Sequence, residues 1–417
     1  ASALSANTTG PNNVAVGRSA LLANTTGSEN VAVGTSALDA NTTGAHNTAL
    51  GSAAGGAITT GLYNSFIGSL AGDGLIDADY NVALGFGSLT SDTYGSLSVA
   101  IGARTLQSQN FTSATNTYNV AVGHGAGLSV TTGIGNTLIG GESGDALTDA
   151  DYNVAVGYLA LGADNLGSNS TAIGTSALRN QNFTSATNVY NVAVGYNSGT
   201  AVTTGTANTF IGGRAGDATT TGSTNVAVGT DALGSNTTAS NNVAIGYDSL
   251  TANTTAANNT AVGMNSLVAN TTGDKNVAMG ANALDANTTG RLNTAIGQDS
   301  MSTNTTADNN TAVGQGSLQL NTTGASNTAV GRRTLIENTT GANNVAVGTN
   351  ALDANTTAAN NTAVGIDSLG ANTTGTRNNA LGNLALTANT TGDNNTALGS
   401  QALQANTTAD GNTAVGY

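Results

Sequence analysis

The stretch Asn13-Val14-Ala15-Val16-Gly17-Arg18-Ser19-Ala20-Leu21-Leu22-Ala23-Asn24-Thr25-Thr26-Gly27-Ser28-Glu29 decides the fold. Val14, Ala15 and Val16 read as a short β segment, because β-branched residues suit a pleated surface. Gly17 is a natural corner, since glycine adopts positive φ without a Cβ penalty. Ala20 and Leu21 form a second short apolar piece, and Asn24-Thr25-Thr26-Gly27 reads as a turn. The phrase Asn-(Val/Thr)-Ala-(Val/Ile/Leu)-Gly then returns along the whole chain, with its glycine at 24 positions from Gly17 to Gly416. Of the 23 intervals, 21 are 17 residues long; Gly102 to Gly123 and Gly174 to Gly195 are 21. A fixed period kept this long is the signature of stacked repeats.

No apolar stripe of period 3.6 runs longer than a few residues, and Gly, Asn and Thr are poor helix formers. The unit is also too short for a helical hairpin. The prediction is an all-β repetitive β-solenoid, a β-roll of 17-residue coils with two short strands each and about 24 rungs. At roughly 4.8 Å per strand spacing, that makes a rod on the order of 115 Å.

Composition narrows the function. The 417 residues include 57 Gly, one Pro, no Cys and no Trp, with 8% charged and 4% aromatic residues. An ordinary globular domain carries about 25% charged residues, and so few aromatics build no thick core. The net charge of −14 argues against nucleic-acid phosphates and anionic membrane surfaces as partners. There is no apolar run long enough for membrane insertion and no visible signal peptide. The absence of Cys removes disulfides and Cys-based zinc sites.

Three rungs reveal which side chains share a compartment. Alanine fills the middle strand slot in 21 of 24 units; the exceptions are Phe66, Leu138 and Phe210. The slot of Leu21 is glycine at Gly55 and Gly72, Gly127 and Gly144, and Gly199 and Gly216, flanking those three residues in turn. A larger side chain thus stands where leucines are missing on both sides, as conserved core volume requires. Leu21, Phe66, Leu138 and Phe210 are therefore assigned to the core. The slot of Val16 is Val, Ile, Leu or Met in all 24 units and is assigned there too. Neighbours on a strand point to opposite faces, so this strand reads as buried on both. A thin coil has one interior; the second buried face suggests a parallel homotrimeric fibre, the alternative being a flattened solenoid whose two layers use both faces.

The chain divides into regular repeats over 1–51, an irregular segment over 52–222 and a regular shaft over 223–417. The middle holds a duplicated 72-residue block: Gln109 to Asn116 returns as Gln181 to Asn188, and Asp77 to Asn81 as Asp149 to Asn153. Its two four-residue insertions predict loops on one face, often a binding face in solenoids. Tyr63, Tyr80, Tyr118, Tyr152 and Tyr190 each precede the strand Asn by one residue, which aligns them along one edge. They are the candidate ligand-binding residues, a platform for a glycan or polymer; the alternative is that they cover loop bases or pack between protomers.

Other motifs carry less. Asp73, Asp77 and Asp79, with Asp145, Asp149 and Asp151, could offer oxygens to Ca²⁺, but their spacing fits no EF-hand and they read as solvated acidic turns. His46 and His124 are framed by no catalytic motif, so no catalytic residue or cofactor is assigned. Gly140-Gly141 is followed by no Lys-Ser/Thr and is no phosphate loop. Fourteen Asn-Thr-Thr triplets fit the N-glycosylation motif, yet the repeat explains them as stacked Asn ladders. Thr25-Thr26 lies in a turn rather than a flat Thr-x-Thr strand, which weakens an ice-binding reading.

The unit Asn327-Thr328-Ala329-Val330-Gly331 through Leu335 to Asn338-Thr339-Thr340-Gly341 resembles arrays in phage tail-fibre-like and bacterial surface proteins. The Ala-Val-Gly core is also similar to the head repeats of trimeric autotransporter adhesins, whose units are shorter. The resemblance covers nearly the whole chain and implies a trimeric surface fibre. No chaperone domain, coiled-coil stalk or membrane anchor accompanies the repeat, which begins and ends in register, as a segment of something longer would. The expectation is an extracellular, cell-surface or virion fibre acting as spacer and adhesin. The rivals are a glycan-depolymerising tail spike, with carboxylate pairs formed between chains, and a self-assembling filament.

Overall fold

A computed structural model describes residues 2–417. The chain folds as a parallel β-solenoid of about 24 coils, and no helix occurs among the described residues. It divides into two compact units, residues 1–208 and 209–417. In each, one three-residue strand per coil pairs in parallel with the strand of the next coil. In the first unit Val14–Val16 pairs with Val31–Val33 in the register Val14↔Val31, Ala15↔Ala32, Val16↔Val33. In the second, Thr294–Ile296 pairs with Thr311–Val313 in the same way. The 21-residue coils keep this register, so Val99–Ile101 still meets Val120–Val122. The four extra residues are looped out.

The ordinary coil has one strand, not two. Ala20 and Leu21 lie in a turn, with Ser19 and Leu21 at φ 62° and 50° and Glu29 at 58°. Left-handed non-glycine residues cost about 1–2 kcal/mol each, so propensity alone does not choose them. Stacking offsets the cost: Leu21 N–H donates to the Ala37 carbonyl at 3.0 Å, and Glu29 N–H to Pro11 at 3.1 Å. A second, two-residue strand forms only beside the insertions, where Gly95–Ser96 pairs with Thr115–Asn116 and Gly167–Ser168 with Thr187–Asn188. Gly17 is required at its corner: its φ is 132°, and a Cβ there would collide with the Gly34 backbone.

The coil interior is thin and holds alanine, leucine and asparagine. Leu21, Phe66, Leu138 and Phe210 are fully buried. A Cβ at Gly55 would lie 2.6 Å from Phe66, one at Gly127 2.8 Å from Leu138, and one at Gly216 2.5 Å from Phe210. The middle strand slot and the Leu21 slot therefore share a compartment. A third column joins the exchange: the buried slot of Asn24 becomes Ile58 and Leu75 beside Phe66, and Val130 and Leu147 beside Leu138.

Val16 corrects the sequence reading. It lies outside the coil and is 58% exposed. The strand alternates, so the alanine points inward and both valines point outward. Further along the stack the same slot keeps this direction, as at Ile296, 37% exposed between neighbours on both sides. Aliphatic character in all 24 units thus marks an outward stripe, with no second interior among the described residues.

Candidate functional site

The site to examine is that outward strand face and its two edges. Alternation continues past the strand ends. Asn12, Val14, Val16 and Arg18 are exposed, whereas Asn13 and Ala15 are turned in. Each coil so presents four outward columns: an edge residue before the strand Asn, two strand residues, and an edge residue after the motif glycine. The strand columns are Thr or Val in most coils at the first position and aliphatic at the second. A shallow apolar dish of about 290 Å³ lies on this face near Asn379, Leu381 and Leu398. It is open and below the usual range of small-molecule sites.

The structure places Tyr63, Tyr80, Tyr118, Tyr152 and Tyr190 in the first edge column, all exposed. Their surroundings differ. His46, Tyr63 and Tyr80 form a continuous stack, with ring centroids 4.6 and 5.0 Å apart and planes within 3° and 5°. His46 Nδ1 also lies 3.1 Å from a Glu29 carboxylate oxygen. Stacking covers both faces of Tyr63, whereas a sugar ring needs a free aromatic face. Tyr152 instead leans over the bare backbone of Gly135, where a Cβ would sit 2.6 Å from its ring.

A second aromatic column escaped the sequence reading. Phe86, Tyr158, Tyr196 and Tyr247 each follow a motif glycine and are more than half exposed. The signal was available as a shared position after Gly85, Gly157, Gly195 and Gly246.

The insertion loops are held from within. Asp92, fully buried, accepts from Gln109 Nε2 at 2.6 Å and from the backbone N–H of Phe111 and Gly95 at 3.0 and 3.1 Å. Gln109 also donates to Ser98 Oγ at 2.8 Å and accepts from Asn119 Nδ2 at 2.9 Å. Asp164, Gln181 and Phe183 repeat the arrangement. A buried carboxylate persists only when its oxygens are hydrogen-bonded, and here they are. Phe111 and Phe183 are each 7% exposed, so the loop aromatics anchor the loops.

The candidate calcium carboxylates serve coil-to-coil contacts. Asp79 accepts from Leu62 N–H at 2.7 Å, Asp151 from Ile134 N–H at 2.8 Å, and Asp149 from Thr132 Oγ1 at 2.6 Å. Among the described residues no group of three or more acids or histidines is arranged to hold a metal ion. Asp73, Asp145 and Asp285 each keep one buried oxygen without a hydrogen-bond partner. Burial raises the carboxyl pKa of these three and of Asp217 and Asp353. Asp274 is shifted the other way, chiefly by a hydrogen bond from Arg291.

Two asparagine ladders run through the interior. Asn41 Nδ2 donates to Asn24 Oδ1 at 2.8 Å and to the Gly44 carbonyl at 3.0 Å, and Asn24 repeats this against Asn7 and Gly27. The strand Asn column is tied differently: Asn30 N–H donates to Asn13 Oδ1 at 2.9 Å and its Nδ2 to Gly44 at 2.8 Å. The first ladder stops at Asn41, whose Oδ1 is orphaned because Ile58 follows. Twelve of the fourteen Asn-Thr-Thr asparagines are fully buried, so their amides are no glycan acceptors in the folded chain. Asn110 and Asn182, in the loop motifs Asn110-Phe111-Thr112 and Asn182-Phe183-Thr184, are exposed. No protein-family model matches this chain, and no curated protein matches it.

Proposed function

We propose that the chain is a non-enzymatic fibrous structural and adhesion protein of a cell surface or virion, and that its coils associate side by side as a parallel homotrimer. The outward stripe carries the reading: an aliphatic residue or methionine points away from the interior in all 24 coils. Contiguous apolar surface of more than a few hundred Å² marks an interaction site, and nothing inside one coil requires aliphatic residues there. Closed rotational symmetry would bring identical stripes together at the same height. The likeness of the repeat to tail-fibre-like proteins and autotransporter heads supports the same reading. Features recurring once per coil suit multivalent attachment to a surface glycan or polymer, where avidity multiplies weak contacts. No cofactor enters this function.

Sedimentation equilibrium on the intact chain tests it. Three times 40.4 kDa is expected, and Ile296→Asp combined with Val330→Asp should lower the mass while keeping the β signature in circular dichroism. A monomeric wild-type chain would overturn the proposal. Incubation with capsule or lipopolysaccharide preparations separates adhesin from depolymerase: binding without release is expected, and released oligosaccharides would make it an enzyme. Ice binding fits less well, because Thr25 Oγ1 already donates to the Thr42 carbonyl at 3.1 Å, leaving Thr26 as a single column.

A further inference from the structure

We infer that the two edge columns of the strand face meet across a seam between neighbouring copies, rung against the same rung, so that their aromatic pairs set the register of the assembly. This rests on the self-association proposed above and adds which residues touch.

In one coil the two edge residues are six positions apart, on the order of 20 Å of extended chain, with the aliphatic columns between them. They do not reach each other. Tyr152 leans over Gly135, and Tyr158 lies over Gly141, where a Cβ would be 3.5 Å from its ring. Yet between residues 80 and 196 aromatic residues occur together on both edges of alternate coils. Tyr80 shares its coil with Phe86, Tyr118 with His124, Tyr152 with Tyr158 and Tyr190 with Tyr196. The coils between them pair Leu97 with Ala103, Gly135 with Gly141 and Asn169 with Thr175. The duplicated block does not account for this by copying alone, since Phe86 corresponds to Tyr158 and His124 to Tyr196. Identity changed and aromatic character stayed. Four rungs carry an aromatic ring on one edge only: His46 with Ser52, Tyr63 with Ser69, Asn241 with Tyr247 and Gly411 with Tyr417; the rings of the first two continue a stack in their own chain.

Two columns that never touch in one chain can be matched by a body that touches both at one height. A second copy related by rotation about an axis parallel to the coil stack of the first unit does so: the left edge of one copy meets the right edge of the next with no axial shift, because a shift cannot close into a ring. Aromatic pairs then meet at alternate rungs, and the Gly135 and Gly141 rung leaves room for the leaning rings of Tyr152 and Tyr158. An antiparallel pair would set unrelated rungs together and would need no such matching.

The chain contains no cysteine, which makes cross-linking clean. The full chain carrying Y152C and Y158C, treated with a short bis-maleimide, should run on a denaturing gel as covalent oligomers up to the size of the assembly. Y152C alone, Y152C with Y196C two rungs away, and Y152C with F86C four rungs away should remain mainly single chains. Sedimentation of each variant confirms that assembly survives. An assembled wild-type chain whose Y152C/Y158C variant does not cross-link, or whose controls cross-link equally well, would overturn the seam and leave self-association standing. A monomeric wild-type chain would remove both.

Discussion

Replacing Phe66 by alanine should produce a defect that a leucine at Gly55 repairs. Phe66 is fully buried in a one-residue-thick interior, and its removal should cost about 3–5 kcal/mol through lost transfer energy and the residual cavity. Gly55→Leu alone should destabilise, because a Cβ there would sit 2.6 Å from the Phe66 ring and 2.9 Å from Leu38. In the Phe66→Ala background the same change should stabilise. The backbone already suits leucine: φ at Gly55 is 58°, against 50° and 51° at Leu21 and Leu38. Burying the new leucine contributes about 1.5–3 kcal/mol, so roughly half the loss should return. Stacked coils open locally, so the assay is native-state hydrogen exchange on amides of the coils around residues 49–83, supported by urea melts. The coupling should exceed about 2 kcal/mol and reverse the sign of Gly55→Leu. An additive cycle, with Gly55→Leu harmful in both backgrounds, would refute the shared compartment.

Asn304→Ala should cost about 2–4 kcal/mol, because it leaves one Asn321 Nδ2 proton and the Asn287 Oδ1 acceptor buried without a partner, while Ala307 keeps only the bond from Asn293; urea melts measure it. Stability should rise as pH falls from 7 toward 4. Asp73, Asp145, Asp217, Asp285 and Asp353 have folded pKa values raised above 3.8 by burial, so protonation favours the folded state down to the unfolded value. Asp274, lowered by Arg291, opposes this in part; thermal midpoints across the range check the sign. In a glycosylating expression host, peptide mapping of folded protein should find glycans at Asn110 and Asn182 and none at the buried Asn-Thr-Thr sites. Asp92→Asn should loosen the loop around Phe111 without unzipping the strand register, seen as faster exchange of the Phe111 amide alone.

The period was legible because every coil repeats the same interior, and the Phe66–Gly55 exchange was legible because volume must be kept. Other features were not. Val16 alternates with Ala15, and alternation separates two faces without saying which one is inside. The exchange at Phe66 already puts the alanine slot inside, and the aliphatic Val16 slot reads as core as well, whereas a coil this thin turns it out. Leu21 looked like strand because turn propensity disfavours a left-handed leucine. Its conformation comes from the coil above, through the Ala37 carbonyl, and no local pattern reports that. Asp92 carries no local signal of burial; its place in the column of Asn24 marks it as buried. The second aromatic edge was written plainly after the motif glycines, and its meaning emerges once both edges are seen to flank one face.

The outward aliphatic stripe is the centre of the account, and the mass of the assembled chain tests it most directly. Sedimentation equilibrium at micromolar concentration should give a species three times the 40.4 kDa chain, reduced to one chain by aspartates at Ile296 and Val330. A wild-type protein that sediments as a single chain under those conditions would contradict it.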